Sequence, residues 1–299
     1  KTQISAISSW LCLEKDFLIL EKIGEGSYGQ VRKAVHRDTM HKVAIKRIGV
    51  PEQGKEVALK HIVREIGILR RLSKHTTNKY TVRLFDVIVP EGELEVGKLK
   101  SVFMVMDYWE FNLREMLSTS VDNFEKEHLF VIAYNLLCAF NYLHGVGVIH
   151  RDIKPSNIMV TPECTVRLCD FGFARSHDDS KSSKHRSLSR GTTSRFYRSP
   201  EIILLSDYNS KADVWSLGCV IAELALKIAY QSEKQYKSHI LFPGKACYPI
   251  SPVHKIEPEN KTPFMKIHKK DQIVMILNVL GPQKQSDLSF LNAEGKDYV

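Results

Sequence analysis

The chain lacks most of what marks a secreted, metal-stapled or membrane-embedded protein. No two of its six cysteines (Cys12, Cys138, Cys164, Cys169, Cys219, Cys247) form a C-x-x-C pair, and several sit inside apolar runs. A zinc or disulfide framework is therefore not indicated. They read as reduced, mostly buried thiols of an intracellular protein, cytoplasmic or nuclear. The longest apolar stretch, FVIAYNLLCAF at 130–140, is too short and too polar to span a bilayer. No signal peptide and no internal repeat is visible. Acidic residues are in the minority: 34 Asp and Glu stand against 43 Lys and Arg, a net charge of +9. That excess fits nucleic acid, a membrane surface or merely a solvated exterior. With no aromatic-rich basic patch and no nucleic-acid motif, neither nucleic acid nor membrane is expected as a partner.

What is present suffices for a substantial core. The 299 residues, 43% of them hydrophobic and 26% charged, suit one large domain or two lobes. Short apolar runs broken by glycine over 16–50 predict three antiparallel strands: FLILEKIG, GQVRKAVHR and HKVAIKRI. Residues 55–73 repeat apolar positions at helical spacing. TVRLFDVIVP and SVFMVMDYW read as two further strands joined by the polar EGELEVGKLK. From about residue 111 the period turns helical, in NLREMLS and in EKEHLFVIAYNLLCAFNYLHG, with short strands at NIMV and TVRLCD. The Ser-rich stretch 176–194 predicts a mobile loop, and KADVWSLGCVIAELAL a buried helix. Residues 227–270 are Lys-rich with scattered prolines and read as a surface insertion, before a last amphipathic helix in DQIVMILNVLG. The expectation is an α+β chain, a small β-rich half followed by a larger helical one.

Three stretches carry chemistry. GEGSYGQV places Gly24, Gly26 and Gly29 where a backbone can bend and approach phosphates, although a plain glycine hairpin is an equal alternative. A strand-like QVRKAV follows, which argues against a dinucleotide site, where a helix would follow. VAIK ends in Lys46. It is either a surface lysine or an ammonium held by Glu65 on the next helix to grip phosphate oxygens. VIHRDIKPSNIMV gathers His150, Arg151, Asp152, Lys154 and Asn157. There Asp152 can accept a hydroxyl proton, Lys154 can balance charge on a transferring phosphoryl group, and Asn157 offers Mg²⁺ a neutral oxygen. D-F-G supplies Asp170 as a second hard ligand. H-R-D, the asparagine five residues on and D-F-G together specify seven residues, a coincidence of roughly one in 10⁹ per start position at ordinary frequencies.

In this order G-x-G-x-x-G-x-V, V-A-I-K, H-R-D-x-x-x-x-N, D-F-G and S-P-E resemble the eukaryotic protein kinases, from about Phe17 onward. The resemblance implies a bilobal protein-kinase fold, β-rich N-lobe and helical C-lobe, with ATP and Mg²⁺ in the cleft. Lobe boundaries would be a flank over 1–15, an N-lobe and hinge over 16–110 and a C-lobe over 111–299. By this match Ile23, Gly24, Glu25, Gly26, Ser27, Tyr28, Gly29, Gln30 and Val31 cover the nucleotide. Lys46 holds its phosphates and pairs with Glu65, Ala44 and Met159 form roof and floor, Met106 is the gatekeeper, and Asp107 to Trp109 form the hinge. Asp152 is the catalytic base, beside Lys154, and Asn157 and Asp170 are the metal ligands. The lysine in DIKPSN matches serine/threonine kinases, and Phe173 favours a serine acceptor. More narrowly, REIGILRRL, RFYRSPE, DVWSLGC, LFPG and VLGPQKQSDLSFL look like mitogen-activated protein kinases, within the group that includes cyclin-dependent kinases. That implies Ser/Thr-Pro protein substrates, with Arg198 shaping a proline pocket and Ser194 in the substrate-binding loop. It also implies an upstream activating kinase. Arg64, Arg151 and Arg175 match arginines that grip a phosphorylated loop, with Ser189 at the phosphosite, although unrelated surface arginines would look the same.

Two departures stand out. Where mitogen-activated kinases carry Thr-x-Tyr, this chain has Ser189, Arg190 and Gly191, so a single-site or constitutive mechanism is expected in place of dual phosphorylation. The chain also begins at Lys1 and stops at Val299, before further C-lobe helices of the family, one of which pairs an arginine with the glutamate matching Glu201. It is read as a fragment of a longer chain. The rivals are a pseudokinase scaffold and a basic nucleic-acid module built on the Lys-rich insertion.

Overall fold

The computed structural model describes residues 10–26, 29–52, 54–95, 97–118, 124–176, 194–204, 206, 208–230, 240–247, 270–281, 283–289 and 291. The chain divides into two compact units. The first comprises residues up to Phe111 with Met159–Thr161 and Arg167–Ala174; the second holds Asn112–Ile158, Pro162–Val166 and the chain from Arg175.

In the first unit, β1 (Phe17–Gly26), β2 (Gly29–His36), β3 (Lys42–Gly49), β4 (Leu84–Ile88) and β5 (Ser101–Asp107) form one antiparallel sheet, ordered β1-β2-β3-β5-β4. Side chains alternate faces along a strand. Val43 and Ile45 of β3 and Phe103 and Val105 of β5 therefore share one face, which they close with Ala34 and Phe17. Ala44 and Lys46 occupy the opposite face, opposed in register to Met106 and Met104. The first face is capped by the turn Leu11–Leu13 with Trp10, whose ring meets Phe103 edge-on at 5.2 Å. Within the stretch read from sequence as a flank, Trp10 and Leu13 are buried in this core, while Leu11 and Cys12 are exposed.

Helix α1 (Lys55–Ser73) buries Ile62, Glu65, Leu69 and Leu72, a three- and four-residue spacing that makes one stripe. The expected strand over 81–90 is shorter. Only 84–88 pairs with β5, while Thr81 bridges to Leu168 in parallel.

In the second unit β6 (Phe111–Asn112) leads into α2 (Leu113–Ser118). Asn112 is a cap rather than the first helical residue. Its Oδ1 accepts from the Glu115 backbone N–H, and the Glu115 carboxylate accepts from Asn112 N–H, both at 3.0 Å. Helix α3 (Lys126–Gly145) turns Ile132, Leu136, Ala139, Phe140 and Leu143 inward. β7 (Val148–Ile149) precedes the His150 loop. The predicted strands around NIMV and TVRLCD are β8 (Ile158–Val160) and β9 (Val166–Leu168), most of whose residues belong to the first unit. β10 (Arg175–Ser176), absent from the sequence reading, pairs antiparallel with β7. The short α4 (Pro200–Ile203) precedes α5 (Lys211–Ala229), which runs three residues into the stretch read as insertion. α6 (Gln272–Leu280) is capped by Asp271, whose side chain accepts from Ile273 N–H at 3.1 Å.

Of the expected insertion, residues 227–230, 240–247 and 270 are described. Lys245 N–H donates to Lys270 O, Gln272 N–H donates to Ala246 O, and Ala246 pairs in parallel with Asp271. The two ends of the segment 248–269 are thus tied together. That segment lies outside the described residues, as do 231–239 and loop positions 177–193.

Candidate functional site

Each unit carries one constellation of the expected residues. In the first, Lys46 Nζ lies 2.6 Å from Glu65 Oε1 and 2.9 Å from Asp170 Oδ1. Strand alternation aims Lys46 off the sheet face opposite the Trp10 cap, and the buried stripe of α1 brings Glu65 to it. Both readings that made Lys46 and Glu65 ordinary surface charges are excluded, since their side chains are only 13% and 5% exposed. Burial opposes the ammonium, but Asp170 and Glu65 together outweigh it and hold Lys46 above the usual lysine range. Burial and the neighbouring Asp170 push Glu65 up, against the pull of Lys46. A protonated Glu65 would leave Lys46 to Asp170 alone; the 2.6 Å contact fits the ionised pair, which we favour.

Asp170 adopts a left-handed backbone (φ 62°, ψ 73°) ahead of the turn Phe171–Phe173. Phe171 is fully buried. A Cβ at Gly172 would be in ordinary contact with Glu65 Oε2 at 3.4 Å and Asp170 Oδ1 at 3.6 Å.

The glycine motif sits at the β1–β2 hairpin, with Glu25 opposite Gln30 and Gly26 opposite Gly29. The hairpin alternative and the phosphate-cradle reading thus share one backbone, and the strand after the motif removes the dinucleotide reading. A Cβ at Gly29 would fall 1.8 Å from Arg47 O, so only glycine fits there. Ile23 and Glu25 are exposed, the latter paired with Lys22. Gln30 accepts from Arg32 at 3.2 Å, and Val31 lies opposite Lys46. Ser27 and Tyr28 lie outside the described residues.

Ala44 is buried, and Met106 and Met159 are half-buried. The residues expected at the hinge are pinned by their own side chains. Asp107 accepts from Arg83 N–H at 2.7 Å and from Trp109 Nε1 at 3.0 Å, and it pairs with Arg167, whose guanidinium lies 4.9 Å over the Trp109 ring. Lys33 covers Tyr108 at 4.9 Å. Arg167 was not singled out from sequence. Its signal is an arginine inside the apolar run VRLCD.

In the second unit, Asp152 is buried and accepts from Lys154 Nζ at 2.7 Å and Asn157 Nδ2 at 3.0 Å. Asn157 Nδ2 also donates to Asp152 O at 2.8 Å. With its amide N–H₂ spent on Asp152, Asn157 has its carbonyl oxygen as the group that suits a hard cation. The loop is held from beneath by Asp213 on α5. This buried carboxylate accepts from His150 N–H (2.8 Å), Arg151 N–H (2.7 Å) and His144 Nε2 (3.0 Å). Arg151 needs that support, because its φ is +71°. Asp213 was quoted from sequence only as part of a likeness. A carboxylate inside an apolar helix is the signal that marks it.

Among the regulatory candidates, Arg64 lies on α1 in the first unit, while Arg151 and Arg175 lie in the second. Arg151 Cζ sits 4.9 Å over the Tyr208 ring, and Arg175 pairs with Ile149. Ser189 is outside the described residues. Ser194 precedes the turn Arg195–Tyr197, which is anchored to α5. Tyr197 Oη donates to Glu223 at 2.6 Å, and Ser216 Oγ donates to Tyr197 O at 2.6 Å. Burial pushes the Tyr197 phenol up, aided by Glu223. Burial also pushes the Glu223 carboxyl up, against Tyr197 and Arg114, and drives the Cys219 thiol up to about 12. Arg198 is buried, its side chain bonded to Cys247. All six cysteines are free thiols, three of them buried and Cys12 exposed. Among the described residues no helix is long and apolar enough to cross a membrane.

The chain is similar to known proteins over nearly its whole length. The family model described as the protein kinase domain matches residues 17–299. A mitogen-activated protein kinase homologue of Nicotiana tabacum is 29% identical over 289 residues, covering 96% of this chain and 65% of the relative. The mitogen-activated protein kinase KSS1 of Saccharomyces cerevisiae is 32% identical over 295 residues, covering 96% and 69%. The mitogen-activated protein kinase p38b of Drosophila melanogaster is 38% identical over 207 residues, covering 69% and 53%. The chain spans just under two thirds of the length of plant relatives such as the tobacco one, at 65%. It belongs to the protein kinase domain family, and within that family to the mitogen-activated type.

Proposed function

We propose that the protein transfers the γ-phosphoryl group of ATP to serine or threonine hydroxyls of protein substrates within a signalling pathway, with proline following the acceptor. The observation that carries this reading is the ion cluster of Lys46 with Glu65 and Asp170, a buried cation held ready for phosphate oxygens. A scaffold that had lost catalysis would have no need to keep an ammonium in so dry a place against its desolvation.

In this reading Lys46 aligns the phosphates, with Glu65 fixing its position. Asp152 orients the acceptor hydroxyl and takes its proton, and Lys154, 2.7 Å from Asp152, balances charge on the moving phosphoryl group. The hard oxygens of Asn157 and Asp170 suit Mg²⁺, which when bound neutralises charge on the phosphates. The glycine hairpin covers the phosphates, and Ala44, Met106, the strand end from Asp107 to Trp109 and Met159 hold the base. Ser194 and Arg198 serve the peptide, Arg198 favouring proline. Phosphate on Ser189, added by an upstream kinase, is gripped by Arg64, Arg151 and Arg175.

The test is transfer from γ-labelled ATP to paired peptides, Ser-Pro and Ser-Ala, with and without Mg²⁺. Magnesium-dependent labelling of the Ser-Pro peptide above the Ser-Ala peptide is expected. No labelling of either peptide overturns the enzymatic reading, and equal labelling overturns the proline preference. Mass spectrometry of the active protein should find phosphate on Ser189.

A further inference from the structure

Helix α1 meets the turn carrying Asp170 at two levels, and only one of them is Glu65. One helical turn earlier, on the same side, is His61. Its Nδ1 lies 3.2 Å from Gly172 O. A carbonyl oxygen can only accept, so Nδ1 carries a proton in this contact, in the neutral ring and in the imidazolium alike. The same ring packs edge-on against Phe173, with centroids 6.1 Å apart and planes at 72°. At the second level, Glu65 shares Lys46 with Asp170.

The turn needs holding. Asp170 is a non-glycine residue in the left-handed region, a conformation that persists only when neighbours over-determine it. Lys46 restrains it through the Asp170 carboxylate. After Asp170, the next anchor from the helix is the His61 bond to the Gly172 carbonyl. If that bond is lost, the peptide after Gly172 can rotate, and the turn that carries Asp170 loosens with it.

We propose that His61 is a positioning residue: it locks the Asp170 turn to helix α1, so that Glu65, Lys46 and Asp170 are set as one unit. This rests on the kinase reading for its catalytic consequence and on the structure alone for its conformational one. It touches neither nucleotide nor peptide in this role.

Two variants of the purified protein test it. His61→Leu keeps volume and removes the donor, whereas His61→Asn keeps an N–H₂ near the place of Nδ1. Amide exchange over 170–174 and steady-state kinetics are measured for both. The loss of one hydrogen bond predicts exchange faster by roughly threefold to tenfold in His61→Leu, with kcat lowered by a similar factor and KM for peptide unchanged. His61→Asn should restore both. Unchanged exchange in His61→Leu overturns the proposal, as does an equal defect in His61→Asn. Should His61→Leu fail to fold, exchange in His61→Asn decides alone, a rate near wild type supporting the lock and a faster one removing it. A wild-type protein with no transferase activity overturns the kinase reading and leaves the exchange result to judge the lock.

Discussion

The Lys46 cluster and the Asp152 loop are built on opposite plans. The first joins side chains 19 and 124 residues apart into a cation between two carboxylates. The second draws Asp152, Lys154 and Asn157 from six consecutive residues and hands its support to Asp213, 61 to 63 residues away. One is held by charge, the other by backbone N–H groups converging on a buried acceptor. Removing charge should therefore unsettle the first in structure as well as in chemistry, and the second mainly in chemistry.

The sharpest separation is expected from Asp152→Asn. The isosteric amide keeps the loop but loses the base, so phosphate transfer should fall by about 10²- to 10⁴-fold, with the melting transition and nucleotide binding retained. A variant that also lost nucleotide binding would show that the loop depends on charge after all. Lys46→Met should lower transfer and stability together, reducing unfolding free energy by about 3 kcal/mol in urea denaturation because Glu65 is left buried without its cation. Glu65→Gln in the same background should recover part of that loss. Asp213→Ala strips the acceptor from two backbone N–H groups at once and should cost about 2 kcal/mol, with transfer reduced because Arg151 loses its hold.

The smallest effect concerns Glu223. Its carboxyl is raised by burial, so the folded chain binds that proton more tightly than the unfolded one. The associated stability is present below the ordinary glutamate range and is lost as pH rises through the raised value. Glu223→Gln should remove this component, and its stability relative to the parent should improve as pH rises above about 4.5. A difference independent of pH would show that Glu223 titrates alike in the folded and the unfolded chain.

Much of this was legible in the sequence because the chemistry is written in short runs. VAIK, H-R-D-x-x-x-x-N and D-F-G each fix several residues on one loop or strand, and period-two alternation already places Lys46 opposite Val43 and Ile45. What escaped depends on partners far along the chain. Asp213, Arg167 and His61 look like ordinary polar residues of a helix or strand until the fold brings them to His150, Asp107 and Gly172. Trp10 escaped for a related reason. It precedes the first strand with no periodic pattern around it, so nothing local announced that it closes a sheet face. Helix edges missed by a residue or two where caps such as Asn112 and Asp271 end the pattern with a side-chain bond instead of an apolar one.

The tied ends at Lys245–Lys270 and Ala246–Asp271 have a practical consequence for engineering. Chain that leaves and re-enters through adjoining residues can be shortened, lengthened or exchanged at modest entropic cost, since closure entropy grows only with the logarithm of loop length. A linker of about a dozen residues grafted between Cys247 and Lys270 should therefore leave α6 capped by Asp271 and the sheet half of the molecule untouched, the parallel Ala246–Asp271 pairing ruling out a tight turn. That graft would offer a compact platform for crystallisation or for displaying foreign peptides.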